Sequence, residues 1–201
     1  MLLDATDSQL VLVDYQDRLM PAIFEGPQVL ANAVRLARMA QMLRVPTFGT
    51  EQNPEKLGPN PAELRELCQK TLSKMSFSAA SDGLVDWLRP PVKQGGGNAR
   101  SLPKHLQKPA AAPAAERQTV VVAGCEAHVC LLQTALELIE QEFDVWVVTD
   151  ACGSRTERNR DAAFDRLAGA GAELVTTEMV AFEWLRSADH PAFRDVQALI
   201  K

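Results

Sequence analysis

A thiol, two carboxylates and an amine occupy positions in this 201-residue chain where reaction chemistry is plausible from residue type and spacing alone. Cys130 lies in GCEAHVCLLQTALELI, just past an apolar run and at the start of a helical pattern. The free amides and positive dipole end of a first helical turn stabilise a thiolate, so a thiol placed there is expected to titrate below its free value of about 8.5. Such a sulfur attacks electrophilic carbon. Asp14 directly follows LVLV, a place suited to an acid that takes the thiol proton, and Asp150 ends VWVVTD in the same way. Lys74 sits in LSKMSFSAA among Leu72, Met75 and Phe77, and an ammonium beside a thiol favours the charged sulfur. Each residue also has a plainer reading. A cysteine packs well as a small hydrophobe, an aspartate after a strand caps the turn, and most lysines are solvated. Spacing alone does not separate Lys74 from the other members of the 21 Lys and Arg.

The elements that must position these groups follow from apolar patterning. Three runs, 9–16 (QLVLVDYQ), 119–126 (TVVVAGCE) and 145–152 (VWVVTDAC), read as strands buried on both faces. Shorter strand candidates are 45–50, 72–77 and 172–177. Apolar residues at helical spacing predict amphipathic helices over 27–43, 129–141 and 156–168. Strands alternating with helices imply an α/β protein: a three-layer, doubly wound, mainly parallel sheet covered on both faces. In such sheets ligands bind beyond the carboxyl ends of the strands, so Asp14, Cys130 and Asp150 can share one edge. The length predicts one domain over 1–201, interrupted by a flexible Pro, Gly and Ala-rich insertion at 90–117.

Composition narrows the function classes. The hydrophobic fraction of 46% and charged fraction of 23% are those of a globular protein. A net charge of -5 argues against nucleic acid as a partner, because phosphate-binding surfaces cluster Lys and Arg. No apolar run approaches the ~20 residues of a membrane helix, and the expected location is cytoplasmic. The four cysteines are then expected as free thiols.

The segments VDYQDRLMPAI, GTEQNPEKLGP, LSKMSFSA, VVVAGCEAHVCLLQTALEL and VVTDACGSR, in this order and spacing, resemble the isochorismatase-like cysteine hydrolases. The resemblance spans nearly the whole chain. It implies a six-stranded parallel sheet, an Asp, Lys, Cys triad assigned here to Asp14, Lys74 and Cys130, and no cofactor. It further implies a cis peptide between Cys125 and Glu126, with the backbone amides of Glu126 and Cys130 as an oxyanion hole. Tyr15, Gln52 and Phe77, on the same loops, are the expected substrate-binding residues. The partners it implies are a small-molecule substrate and further copies of the chain in a dimer or larger homo-oligomer.

Where nicotinamidases of this kind carry an Asp-x-His metal motif, this chain has Thr50, Glu51, Gln52 and Asn53, so no metal is expected. Cys125, His128 and Cys130 in CEAHVC lack a second ligand pair at zinc-site distance, and His128 is expected to pack or hydrogen-bond beside the nucleophile. The expected activity is hydrolysis of a small amide, carbamoyl or related carbon–nitrogen compound through a Cys130 thioester. Hydrolysis of a vinyl ether, as by isochorismatase itself, and a non-catalytic oligomeric scaffold are the alternatives. A nucleotide-binding domain is disfavoured because GCEAHVC has no G-x-G-x-x-G pattern.

Overall fold

The computed structural model describes residues 1–90 and 117–201. The expected insertion at 90–117 falls almost wholly outside the described residues.

Six strands form one parallel sheet: β1 (Ser8–Val13), β2 (Thr47–Gln52), β3 (Lys70–Lys74), β4 (Thr119–Gly124), β5 (Asp144–Val148) and β6 (Glu173–Val175). Their spatial order is β3-β2-β1-β4-β5-β6, so the winding reverses between β1 and β4. That switch point opens the crevice at the carboxyl edge where ligands bind in doubly wound sheets. The register aligns Val13 with both Thr50 and Gly124, and Gln52 with Lys74.

All six residues of β1 and of β4 are buried, as strands covered on both faces must be. Each fully buried aliphatic chain there contributes about 1.5–3 kcal/mol through loss of water contact. Helix α1 (Gly26–Met42) lays Val29, Ala33, Leu36, Ala37 and Ala40 into the core. Among the described residues the other α-helices are α2 (Pro54–Leu57), α3 (Ala62–Leu67), α4 (Val85–Leu88), α5 (Leu132–Glu140), α6 (Glu157–Gly169), α7 (Thr177–Leu185) and α8 (Phe193–Ile200). One helical layer gathers α1, α3, α7 and α8, and the other α5, α6 and the turn before α4. The architecture is the expected three-layer α/β class.

Boundaries differ from the apolar pattern where chemistry begins. The first strand stops at Val13, because Asp14 takes a left-handed backbone (φ 53°) that turns the chain off the sheet. The β5 strand stops at Val148, and residues Thr149–Ala151 form a 3-10 turn. The expected strand at 72–77 runs Lys70–Lys74 instead, leaving Met75 and Phe77 in a loop. Helices α7 and α8 escape the periodicity reading; in α7 the exposed Met179 and Phe182 add apolar residues to the outer face and blur its amphipathic stripe. Among the described residues no helix is long and apolar enough to cross a membrane.

Candidate active site

The switch point brings together residues from four strand ends. Asp14 leaves β1 with its carboxylate fully buried, and its Oδ1 accepts a hydrogen bond from Thr50 Oγ1 at 2.7 Å. Lys74 ends β3, on the far side of β2 from Asp14. Two strand spacings amount to roughly 10 Å, a gap that a long flexible lysine stem can bridge. Its Nζ donates to Asp14 Oδ2 at 2.7 Å, to Phe77 O at 2.9 Å and to Ser76 O at 3.2 Å. All three ammonium donors are thereby used. An ion pair with both side chains at 0% exposure survives desolvation only when such further hydrogen bonds complete it.

Cys130 lies on a wide helical turn, Ala127–Leu131, that feeds into α5. Its thiol is buried, within electrostatic reach of the Asp14 carboxylate and the Lys74 ammonium. The expectation of a readily ionised sulfur is corrected here. Burial first, then the Asp14 carboxylate, push the thiol up to about 12, and the Lys74 charge offsets them only in part. The resting group is therefore a neutral thiol, whose ionisation the Asp14 carboxylate disfavours.

The peptide between Cys125 and Glu126 is cis, as the resemblance implies. The Glu126 carbonyl accepts from Val129 at 3.0 Å and from Leu131 at 3.3 Å. Its carboxylate accepts both the backbone N–H (3.1 Å) and the Nε–H (2.9 Å) of Arg155, which ties the turn that carries Cys130 to the loop after β5. Gly124 lets this junction form: a Cβ there would stand 2.3 Å from Val13 O, at the place where Cys125 N donates to the same carbonyl at 2.9 Å.

Gln52 ends β2, and Phe77 lies on the loop after β3. The Gln52 side chain donates to Met75 O at 3.2 Å, and the Phe77 ring is 52% exposed on the rim. Tyr15 is placed differently from expectation. It is fully enclosed, and its hydroxyl donates to the Ala151 carbonyl, so it braces the core and does not face open space. Asp150 also serves structure, accepting from the Thr177 amide at 2.8 Å and the Thr177 hydroxyl at 2.9 Å. His128 contacts Ser154 Oγ at 2.9 Å and Asn159 Nδ2 at 3.3 Å, the hydrogen-bonded role expected of it. Cys125 is fully buried.

Two participants escape the sequence reading. Thr50 holds the second oxygen of Asp14, and its signal is a polar side chain near the carboxyl end of a strand. Asp82 accepts from Met75 N, Ser76 N and Ser76 Oγ, and its signal is the Ser-Asp-Gly turn sequence at 81–83. A concavity of about 320 Å³, lined by Pro54, Ser73, Lys74, Met75 and Asp82, opens beside that turn.

The family follows from comparison over the whole chain. "Isochorismatase domain-containing protein 2B" of Mus musculus is 34% identical over 194 residues, covering 96% of this chain and 81% of the mouse protein. The chain belongs to the isochorismatase domain family. The family model "Isochorismatase domain" matches residues 102–179. Among solved structures, the "MAR1 Ribonuclease from Caenorhabditis elegans" superposes with a TM-score of 0.83 at 31% identity, covering 100% of this chain and 92% of that one. The Escherichia coli ycaC product, described as "an octameric hydrolase of unknown specificity", superposes with a TM-score of 0.78 at 26% identity, covering 100% and 95%. The family supports hydrolytic chemistry for this isochorismatase-domain chain.

Proposed function

We propose that the protein is a cysteine hydrolase acting on a small amide, carbamoyl or related carbon–nitrogen substrate. One observation carries the reading: the buried Cys130 thiol lies within electrostatic reach of a buried carboxylate that accepts hydrogen bonds from an ammonium and a threonine hydroxyl. Asp14 takes the thiol proton as the sulfur attacks the substrate carbon, and the backbone amides of Glu126 and Cys130 receive the negative charge that develops on oxygen. Collapse of the tetrahedral species expels the amine, which leaves with the proton held by Asp14, and a Cys130 thioester remains. Water then adds to the thioester, again giving its proton to Asp14, and the acid departs with the thiol restored. Lys74 holds the Asp14 carboxyl in place through the cycle. Gln52 and Phe77 border the approach to the sulfur.

Phosphodiester cleavage, the activity named for the nematode neighbour, finds little support in this site. Among the described residues, the ammonium beside Cys130 has every donor engaged, and the chain carries a net charge of -5. Assembly with further copies of the chain is proposed by analogy with the octameric bacterial neighbour.

The test is a panel of small amides, carbamoyl compounds and isochorismate offered to the parent and to Cys130→Ala. Amide turnover by the parent, lost in the variant together with the trapped thioester mass, supports the mechanism. Full amide turnover by Cys130→Ala overturns it, and isochorismate cleavage that survives the substitution points to the vinyl ether reaction.

A further inference from the structure

We propose that Asp82 is a positioning residue that builds the Met75–Phe77 turn whose carbonyls hold the Lys74 ammonium against Asp14. The inference rests on the electrostatic arrangement of the proposed site and goes beyond it to a residue that touches none of the three reacting groups.

The turn has to be held by polar bonds, because burial does not hold it. Met75 is 68% exposed and Phe77 is 52% exposed, so neither side chain anchors the segment in the core. Yet this segment supplies two of the three acceptors of the Lys74 ammonium, the carbonyls of Ser76 and Phe77. A carbonyl offered to a buried cation must be fixed in direction, since each degree of freedom left to it weakens the bond.

Asp82 provides that direction. Its Oδ2 accepts the amides of Met75 (3.2 Å) and Ser76 (3.1 Å), and its Oδ1 accepts the Ser76 hydroxyl (2.9 Å). With the amides of 75 and 76 drawn toward Asp82, the carbonyls of Ser76 and Phe77 remain for the lysine. The same hydrogen bonds, Ser76's hydroxyl foremost, hold the Asp82 carboxyl below the usual carboxylate range, as acceptance of three donors requires. Further ties leave the turn little slack: Gln52 Nε2 donates to Met75 O at 3.2 Å, Ser78 Oγ to Glu137 at 2.7 Å, and the Ala79 amide to Thr134 Oγ1 at 3.0 Å. The Lys74 charge is in turn what draws the Cys130 thiol down against burial and Asp14. The chain of action therefore runs from Asp82 through two carbonyls to an ammonium and then to a sulfur.

Asp82→Ala and Asp82→Asn separate the possibilities. An asparagine keeps the geometry, with its oxygen accepting the two amides and its NH2 donating to the Ser76 hydroxyl. Two readouts require no turnover: hydrogen exchange of the 75–76 amides by mass spectrometry, and the rate of Cys130 alkylation by iodoacetamide at pH 9, quantified on the Cys130 peptide. Asp82→Ala is expected to speed exchange at 75–76 and to slow Cys130 alkylation roughly three- to tenfold, because part of the lysine's influence on the thiol is lost. Asp82→Asn is expected to restore both. Unchanged exchange, unchanged or faster alkylation in Asp82→Ala, or an Asp82→Asn variant as impaired as the alanine would each overturn the proposal. These readouts report electrostatics at the sulfur and not turnover, so they stand even if Cys130→Ala retains activity and the hydrolase reading fails.

Discussion

Replacing Lys74 by Met probes the buried ion pair, because methionine keeps the length of the stem and removes only the ammonium. Three hydrogen bonds disappear with it, two to carbonyls and one to Asp14, and a carboxylate with no solvent exposure loses its countercharge. Leaving one member of a buried pair costs about 3–5 kcal/mol, which for a chain of this size lowers Tm by roughly 6–20 °C. Asp14→Asn is expected to cost a similar amount for the opposite reason, an ammonium left facing an amide. The double variant removes both charges, so its cost is expected to fall below the sum of the singles by about 2 kcal/mol or more. Urea unfolding at fixed protein concentration, followed by near-ultraviolet circular dichroism, gives each midpoint and slope. If Lys74→Met unfolds within about 0.5 kcal/mol of the parent, or if the two singles add within that margin, the pair is not energetically coupled and the account of the site is wrong.

Alkaline stability follows from the buried thiols. Cys68 and Cys130 are each pushed up to about 12, chiefly by burial, above the ordinary value of 9.0. The folded chain therefore binds more protons than the unfolded one above pH 9. Stability is full below that pH and is lost as pH rises from about 9 toward 12, by up to about 1.4 kcal/mol per pH unit per thiol. Urea midpoints at pH 8, 9.5 and 10.5 check the sign, and a flat or rising series refutes it. Gly124→Ala forces a Cβ to within 2.3 Å of the Val13 carbonyl and is expected to cost about 3 kcal/mol or more, since the obstacle is backbone and cannot rotate aside. A parental melting temperature in that variant would show that the β1–β4 junction yields more easily than its geometry implies.

Much of this protein is written locally. The β1, β4 and β5 strands appear as apolar runs after a polar first residue or two, because a strand covered on both faces has no alternating solvent-facing positions to interrupt it. The α/β class follows from their alternation with periodic helices, and Asp14 and Cys130 are legible because one directly follows such a run and the other opens the helical pattern after one. The pairing of Asp14 with Lys74 is of another kind. Sixty positions separate the two residues, and nothing near either one records that β2 lies between their strands or that Thr50 supports the carboxylate from it. Lys74 looks like any other lysine in the sequence except through resemblance to a family, because a surface lysine and a buried one have the same neighbours along the chain.

The tertiary structure also decided matters that local pattern gets wrong. Tyr15 follows Asp14 directly, yet the left-handed turn at Asp14 sends the two side chains to different fates, one to the buried ion pair with Lys74 and one to the Ala151 carbonyl in the core. The state of Cys130 was set in the same way: helix position favours a thiolate, but burial and a carboxylate brought from β1 outweigh it. Residue order thus determined which segments are strands and helices, since that depends on neighbours within a turn or a pleat. Charge, protonation and contact at the site depend on desolvation and Coulomb forces among groups far apart in sequence, and only the folded sheet brings those groups within reach of one another.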